Sequence, residues 1–323
     1  MSVAAMVEPS MTDVLEARRR IRNEIFPVTP RLSDSLSEIA RREVWLIPEC
    51  LQRTGSFKFR GALNRMIMHS DHGGAPVITA SSGNHAIGMT VAARLTGVQA
   101  TVVVPEGASE AKLEQLRLMG ADVLEMGTGF DEAENMMFAY AESHGLEIVN
   151  SFDRDVIAGH GTALLDALRH VPDLGVLLAP VASGGLLAGC AIVAQALAPA
   201  CQIIGVQSEA WPAMDRSLRS GELTMVTGAE TVADGLAGNA MRSTLPFQII
   251  QRQVADVLLV DELPLLRGIR HALLRERLVV EGAGAATIAA ILDRQPLPGE
   301  GPVGLILSGG NCTESALREA LDT

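Results

Sequence analysis

The hydrophobic pattern along the chain switches repeatedly between short continuous apolar runs and longer runs with helical spacing. Val44–Ile47, Pro76–Ala80, Ala100–Val104, Asp122–Glu125, Glu147–Val149, Val176–Val181, Ile203–Val206, Val254–Val260 and Val303–Leu307 read as strands. They are short, rich in aliphatic residues, and bounded by glycine, proline or polar positions. Between them, His85–Leu95, Ser109–Met119, Phe130–Ser143, Gly161–His170, Leu186–Leu197, Glu262–Leu278, Gly284–Leu292 and Glu314–Leu321 carry helical periodicity. Ser109 suits a helix N-cap and Gly120 a stop. Continuous apolar strands alternating with helices predict the α/β class, with open parallel-rich sheets covered by helices on both faces. Residues 1–12 read as a poorly ordered lead-in, and 209–253 as irregular.

One stretch invites another reading. No charged residue occurs from Leu174 to Ser208, as in a membrane span. Pro180, Gly184, Gly185, Gly189 and Pro199 cut it into pieces too short to cross a bilayer. Buried strand, glycine turn and buried helix is the better account.

Composition narrows the function. The chain has 323 residues, room for one large or two medium domains at a prior of roughly 150 residues each. Hydrophobics make up 48%, enough for a full core. A formal net charge of −12 argues against a nucleic-acid or membrane-surface binder. The one dense basic run, Arg18-Arg19-Arg20-Ile21-Arg22, reads as a solvated helix face. Cys50, Cys190, Cys201 and Cys312 form no C-x-x-C, so no metal site or disulfide framework is expected and a reducing, cytoplasmic setting fits. Of the 26 basic residues only two are lysines, Lys58 and Lys112; the rest are arginines. Lys112 reads as a surface charge beside Glu110 and Glu114.

Three loops follow predicted strands, where open α/β sheets gather their ligands. Ser81-Ser82-Gly83-Asn84-His85 opens a helix and suits an anion held by backbone N–H groups, although a plain N-cap would use the same residue types. Ser183-Gly184-Gly185-Leu186 suits a phosphate, or simply a tight strand-to-helix turn; it matches neither a dinucleotide fingerprint nor a P-loop. Ser308-Gly309-Gly310-Asn311 ends the last strand. The segment Thr54-Gly55-Ser56-Phe57-Lys58-Phe59-Arg60-Gly61-Ala62 sets one lysine between two aromatics, where desolvation makes an amine a usable nucleophile or base. An amine with several anion-binding strand ends points to an aldehyde cofactor bearing a phosphate, pyridoxal 5′-phosphate.

These four motifs, in this order and spacing, resemble the serine/threonine dehydratase family of fold-type-II pyridoxal-phosphate enzymes, which includes serine racemases. The resemblance covers roughly residues 14–320, with further matches at Phe152–Gly161, Val232–Gly238 and Val279–Ala285. It implies a small mobile domain at 74–150 inserted into a large cofactor-binding domain of 1–73 and 151–323. It also implies that Lys58 holds the cofactor and later acts as base at Cα, and that Phe57 packs beside it. Asn84 would meet the ring hydroxyl. Ser183, Gly184, Gly185 and Leu186 would hold the phosphate, and Ser308 would face the ring nitrogen. The loop of Ser81, Ser82, Gly83, Asn84 and His85, with Gly235, would bind the substrate, and Ser82 would be the acid/base on the opposite face.

Three departures matter. Ala182 and Ser183 stand where the family usually has glycines. Gln207 stands where racemase-like members place a cation-binding glutamate, so no metal is expected, though Glu209 lies nearby. Cys312 replaces an aliphatic residue and reads as packing.

The resemblance implies β-elimination of a small β-hydroxy amino acid, L-threonine or L-serine, to a 2-oxo acid and ammonia. Serine racemisation, or a specialised dehydratase of hydroxyaspartate or hydroxyectoine breakdown, is the alternative within the class. A nucleotide-binding oxidoreductase, or a non-catalytic binding protein on the same fold, lies outside it. A homo-oligomer, dimeric by preference, is expected. The chain ends shortly after Asn311, so no regulatory domain with feedback control is expected.

Overall fold

In a computed structural model, residues 7–108, 110–239 and 244–323 are described. The chain begins with α1 (Met11–Ile21), β1 (Arg31–Leu32), α2 (Asp34–Ala40), β2 (Val44–Ile47) and α3 (Lys58–Asp71). A βα series follows: β3 (Val77–Ala80), α4 (Asn84–Thr96), β4 (Ala100–Val104), α5 (Glu110–Met119), β5 (Asp122–Glu125), α6 (Phe130–His144) and β6 (Glu147–Ile148). Then come α7 (Arg154–Ala167), β7 (Val176–Pro180), α8 (Gly185–Leu197), β8 (Gln202–Ser208), α9 (Ala213–Ser220) and α10 (Thr244–Gln253). The chain closes with β9 (Asp256–Val260), α11 (Glu262–His271), α12 (Gly282–Leu292), β10 (Val303–Ile306) and α13 (Glu314–Leu321).

The strands form two sheets. A six-stranded sheet runs β1-β2-β10-β7-β8-β9, parallel except for the short edge strand β1. A four-stranded sheet, β5-β4-β3-β6, is entirely parallel. Alternation along each strand divides the cores. Leu177 faces the layer of α1, α7, α8 and α10, whereas Val176 and Leu178 face that of α2, α11 and α12. Val102 and Val104 likewise meet α4 and α5, whereas Val103 meets α6. Apolar residues on both faces of a parallel strand require helices on both sides, as observed.

The uncharged stretch is β7, the glycine turn, α8 and β8. Among the described residues, no helix is long and apolar enough to cross a membrane.

Several elements differ from expectation. Helix α1 starts inside the supposed lead-in, because Ser10 and Asp13 form a reciprocal capping box. Arg18 and Arg20 are not merely solvated; they reach Asp166 and Asn64. Helix α7 begins at Arg154, seven residues before the expected start at Gly161. Its glycines hide the helical signal but serve packing: a Cβ on Gly159 would lie 2.6 Å from the Arg60 carbonyl on α3, and one on Gly61 would lie 2.5 Å from His160. Helices α9 and α10 fill part of the supposedly irregular region. The long helix 262–278 is α-helical only to His271; a π turn covers Ala272–Glu276 and Arg277 is left-handed. Buried Glu276, at the end of the π turn, accepts hydrogen bonds from Ser33 and Ser35. Ser109 and the Lys112 side chain lie outside the described residues.

Candidate active site

The carboxyl end of β10 organises the site. Ser56 and Gly309 form an isolated antiparallel bridge, with Phe57 N–H donating to the Ser308 carbonyl (3.0 Å) and Gly310 N–H to the Gly55 carbonyl (2.8 Å). This tie delivers Lys58, the first residue of α3, to the end of an interior strand.

The Lys58 side chain is half-buried, with Nζ 5.1 Å from the Phe57 ring centroid. Removal from water pushes its amine down to about 8, against a partial opposing pull from the Glu281 carboxylate. Only one of its flanking aromatics lines this space; Phe59 is fully buried in the core of α3 and α4. Two neutral imidazoles share the neighbourhood. His85 is held down to about 3 by burial and then by the Lys58 charge. His160, edge-on to Phe57 at 4.7 Å, is held well below its ordinary value, first by burial and then by Lys58. His85 Nδ1 has no hydrogen-bond partner, and the His160 ring lies against the Lys58 backbone.

Two helix starts flank this amine. Helix α4 begins after Gly83 and α8 after Gly184, and neither N-cap residue places a side chain on the free amides. The plain-cap reading of the Ser81 loop is thereby excluded; Ser81 Oγ accepts only from Gly83 N–H, at 3.2 Å. Gly184 is left-handed, at φ +88°, a conformation that favours glycine. A Cβ on Gly185 would lie 2.6 Å from the Ser151 carbonyl and 3.3 Å from His160 Nδ1. Ser183 Oγ lies 3.3 Å from Ser151 Oγ.

The motifs converge. Asn84 Nδ2 donates to Glu281 at 2.6 Å, and Asn311 Nδ2 donates to Asn84 Oδ1 at 2.6 Å and to the Thr54 carbonyl at 2.9 Å. A Cβ on Gly88, one turn into α4, would lie 3.3 Å from the Lys58 backbone, so α4 and α3 are closely apposed. Ser308 is buried, and Ser82 half-exposed. Gly235 is exposed, and a Cβ there would lie 3.0 Å from Ala283 in the first turn of α12; among the described residues no contact ties it to the motifs around Lys58. Glu281 and His160 were missed in the sequence as site residues. The available signal for each was a lone polar side chain among small or apolar neighbours, Val280-Glu281-Gly282 and Gly159-His160-Gly161.

Gln207 is fully buried, and its Oε1 accepts from the Met214 and Asp215 amides, both at 3.1 Å. It caps α9, while Glu209 is exposed. Among the described residues no group of three His, Cys, Asp or Glu is placed to share a metal ion. Cys312 is half-exposed beside the Thr313 carbonyl rather than packed in the core.

A lysine with a depressed pKa, uncapped helix starts and unpartnered buried polar atoms together fit a phosphate-bearing aldehyde cofactor. Cradles of this kind on two parallel-rich sheets define a fold-type-II pyridoxal-phosphate protein. The chain belongs to the family of pyridoxal-phosphate dependent enzymes, whose model matches residues 24–309. It is 36% identical over 304 residues to an L-threonine ammonia-lyase of Thermotoga maritima, covering 94% of this chain and 75% of that one. It is 35% identical over 309 residues to an L-threo-3-hydroxyaspartate ammonia-lyase of Saccharomyces cerevisiae, covering 95% and 94%. The crystal structure of serine racemase from Dictyostelium discoideum superposes with a TM-score of 0.86 at 32% identity, over 94% of this chain and 99% of that one. Family membership sets aside the oxidoreductase reading.

The depressed lysine has a direct readout. In the cofactor-free chain, the rate at which an amine reagent modifies Lys58 should rise with pH through a midpoint near 8, since only the neutral amine reacts. Peptide mass spectrometry resolves the site, and a midpoint near the ordinary 10.5 would contradict the desolvated geometry.

Proposed function

We propose that the protein catalyses β-elimination from a small β-hydroxy amino acid, L-threonine or L-serine, yielding a 2-oxo acid and ammonia. The observation that carries this reading is the Lys58 amine, pushed down to about 8 and set among the uncapped starts of α4 and α8. When bound, pyridoxal phosphate supplies a ring that withdraws electrons from the substrate nitrogen and so acidifies Cα. The amides at the start of α8, with Ser183, would receive the phosphate, Asn84 would donate to the ring hydroxyl, and Phe57 would pack beside the ring. Ser308 would meet the ring nitrogen with a hydroxyl, a weaker demand for ring protonation than a carboxylate would make. That weaker demand favours prompt loss of the β-substituent over a long-lived negative charge at Cα.

Lys58 would hold the cofactor, and its amine, with a pKa lowered by burial, would take the Cα proton in its neutral form. The loop of Ser81 to His85 binds the substrate carboxylate through amides at the start of α4, and Gly235 lines the substrate side. The β-hydroxyl leaves as water, and the enamine product hydrolyses to the 2-oxo acid and ammonia.

Ser82 would stand on the cofactor face opposite Lys58 and return a proton there during racemisation. Assaying 2-oxo acid and D-amino acid together tests both activities. Ser82→Ala should remove any D-amino acid formed while elimination persists; racemisation that survives the change would refute the assignment. A panel of threonine, serine and hydroxyaspartate with ammonia detection tests the substrate. Turnover of hydroxyaspartate alone would favour the activity named for the yeast relative.

Residues 74–150, which contain β3 to β6, act in this reading as a small domain closing over the substrate. The four free cysteines agree with a reducing, cytoplasmic setting. A homo-oligomer, preferably a dimer, accords with apolar Phe26 and Leu51 exposed on either side of the Phe26–Gln52 contact. Light scattering in solution tests it.

A further inference from the structure

The Glu281 carboxylate is drawn into the cluster of motifs around Lys58 through Asn84, and nothing in the reaction described above assigns it a task. It precedes the first residue of α12, its backbone N–H donates to the Gly309 carbonyl at 3.1 Å, and it is only 7% exposed. Burial of a carboxylate is costly unless its charge is compensated. Gly309 permits the approach, since a Cβ there would collide with Glu281 Oε1.

The amide of Asn84 is gripped from both ends. Its Nδ2 meets Glu281 Oε1 and its Oδ1 meets Asn311 Nδ2, each at 2.6 Å, while Asn311 is itself held by the Thr54 carbonyl. The two ends of an amide have nearly the same shape but opposite hydrogen-bonding character. An ionised carboxylate only accepts, so it forces the nitrogen of Asn84 toward itself. The second hydrogen of that nitrogen remains able to donate to a cofactor oxygen. The same carboxylate acts on the charges around it. It opposes the loss of the Lys58 proton, and after burial it contributes to holding the Cys50 thiol up to about 12 and the Cys312 thiol up to about 11. Other titratable groups act here too: His85 from α4 and His160 from α7, both neutral, Glu49 and Arg31 on Cys50, and Asp234 on Cys312.

We propose that Glu281 and Asn311 are positioning residues: together they fix the Asn84 amide donor-side toward the cofactor, and Glu281 sets one negative charge within electrostatic reach of the Lys58 amine. This rests on Lys58 being the cofactor lysine. Asn84 is thereby the touching group, and Glu281 acts through it and through the lysine. The carboxylate keeps a larger fraction of Lys58 protonated than burial alone would leave.

The test uses the full chain with and without pyridoxal phosphate. Glu281→Gln keeps the shape and removes the charge. In the cofactor-free chain it should lower the midpoint pH of Lys58 modification by about one unit, as expected for loss of a nearby opposite charge. In the holoenzyme the pH titration of bound-cofactor absorbance should move the same way, and cofactor should dissociate several-fold more readily. Glu281→Asp retains the charge and should leave the midpoint near that of the unaltered protein. Asn311→Ala should loosen the cofactor several-fold without moving the midpoint. A folded Glu281→Gln protein with both titrations unchanged overturns the proposal. Failure of bound cofactor to protect Lys58 from modification overturns the lysine assignment instead, and is read separately from the cofactor-free midpoint.

Discussion

Replacement of Lys58 by alanine should abolish the visible absorbance of the bound cofactor and reduce ammonia release by at least about a thousandfold, within the ~10²–10⁴ range of a lost acid/base group and compounded by loss of the covalent anchor. The size of the effect follows from composition as much as from geometry. Lys112 is the only other lysine, so no neighbouring amine is on hand to substitute, as could happen in a lysine-rich protein. Lys58→Arg should fail equally. A guanidinium keeps its proton at any accessible pH, and so can neither form the link nor accept a Cα proton. A small primary amine added to Lys58→Ala should restore part of the turnover, because the α8 amides and Asn84 remain in place. Absorbance, the mass of the borohydride-reduced chain and ammonia release measure these outcomes. A Lys58→Ala protein that retains full turnover would remove the lysine from the mechanism.

The parts legible in the sequence were those encoded by local pattern. Apolar runs marked the strands of both sheets except the two-residue edge strand β1, and glycine and small polar residues after β3, β7 and β10 marked the loops that converge on Lys58. Helical starts were lost where packing required glycine. Gly159 and Gly161 lower the helical signal of α7 because α3 and α8 approach its backbone closely. Long-range polar partners left no local trace. Asn84 and Glu281 are 197 positions apart, and no spacing rule links them. The aromatic pair around Lys58 shows the converse limit. Phe57 and Phe59 look equivalent on either side of the lysine, yet at the start of a helix they diverge: Phe57 packs in the layer of α1, α7 and α8 with its ring beside the Lys58 amine, and Phe59 packs in the core of α3 and α4.

Arg60→Ala should be the most destabilising single change near the site, costing about 3–5 kcal/mol, the usual penalty for orphaning one partner of a buried ion pair. Arg60 is fully buried and grips fully buried Glu49 through two parallel bonds of 2.8 Å. Its remaining nitrogen reaches Asp166 at 2.9 Å and Thr162 at 3.1 Å, and Asp166 also accepts from Arg18. Burial alone would lower the guanidinium pKa, but Glu49 and Asp166 together hold it above its ordinary value. Removal of the arginine leaves Glu49 in the protein interior without its counter-charge, whereas Asp166 keeps Arg18. Replacing both Arg60 and Glu49 by methionine should recover much of the loss, since an apolar pair of similar volume pays no desolvation penalty. The chemistry should suffer as well, because Arg60 lies two residues beyond Lys58 and Glu49 lies beside Cys50, whose N–H donates to the Leu307 carbonyl next to Ser308. The ion pair therefore ties the first turn of α3 to the strand end that carries the cofactor site. Urea unfolding followed by far-UV circular dichroism should show the lowered midpoint, and cofactor titration of the still-folded variant should show weakened binding. An Arg60→Ala protein as stable as the parent would mean that Glu49 finds water or a proton when its partner is gone.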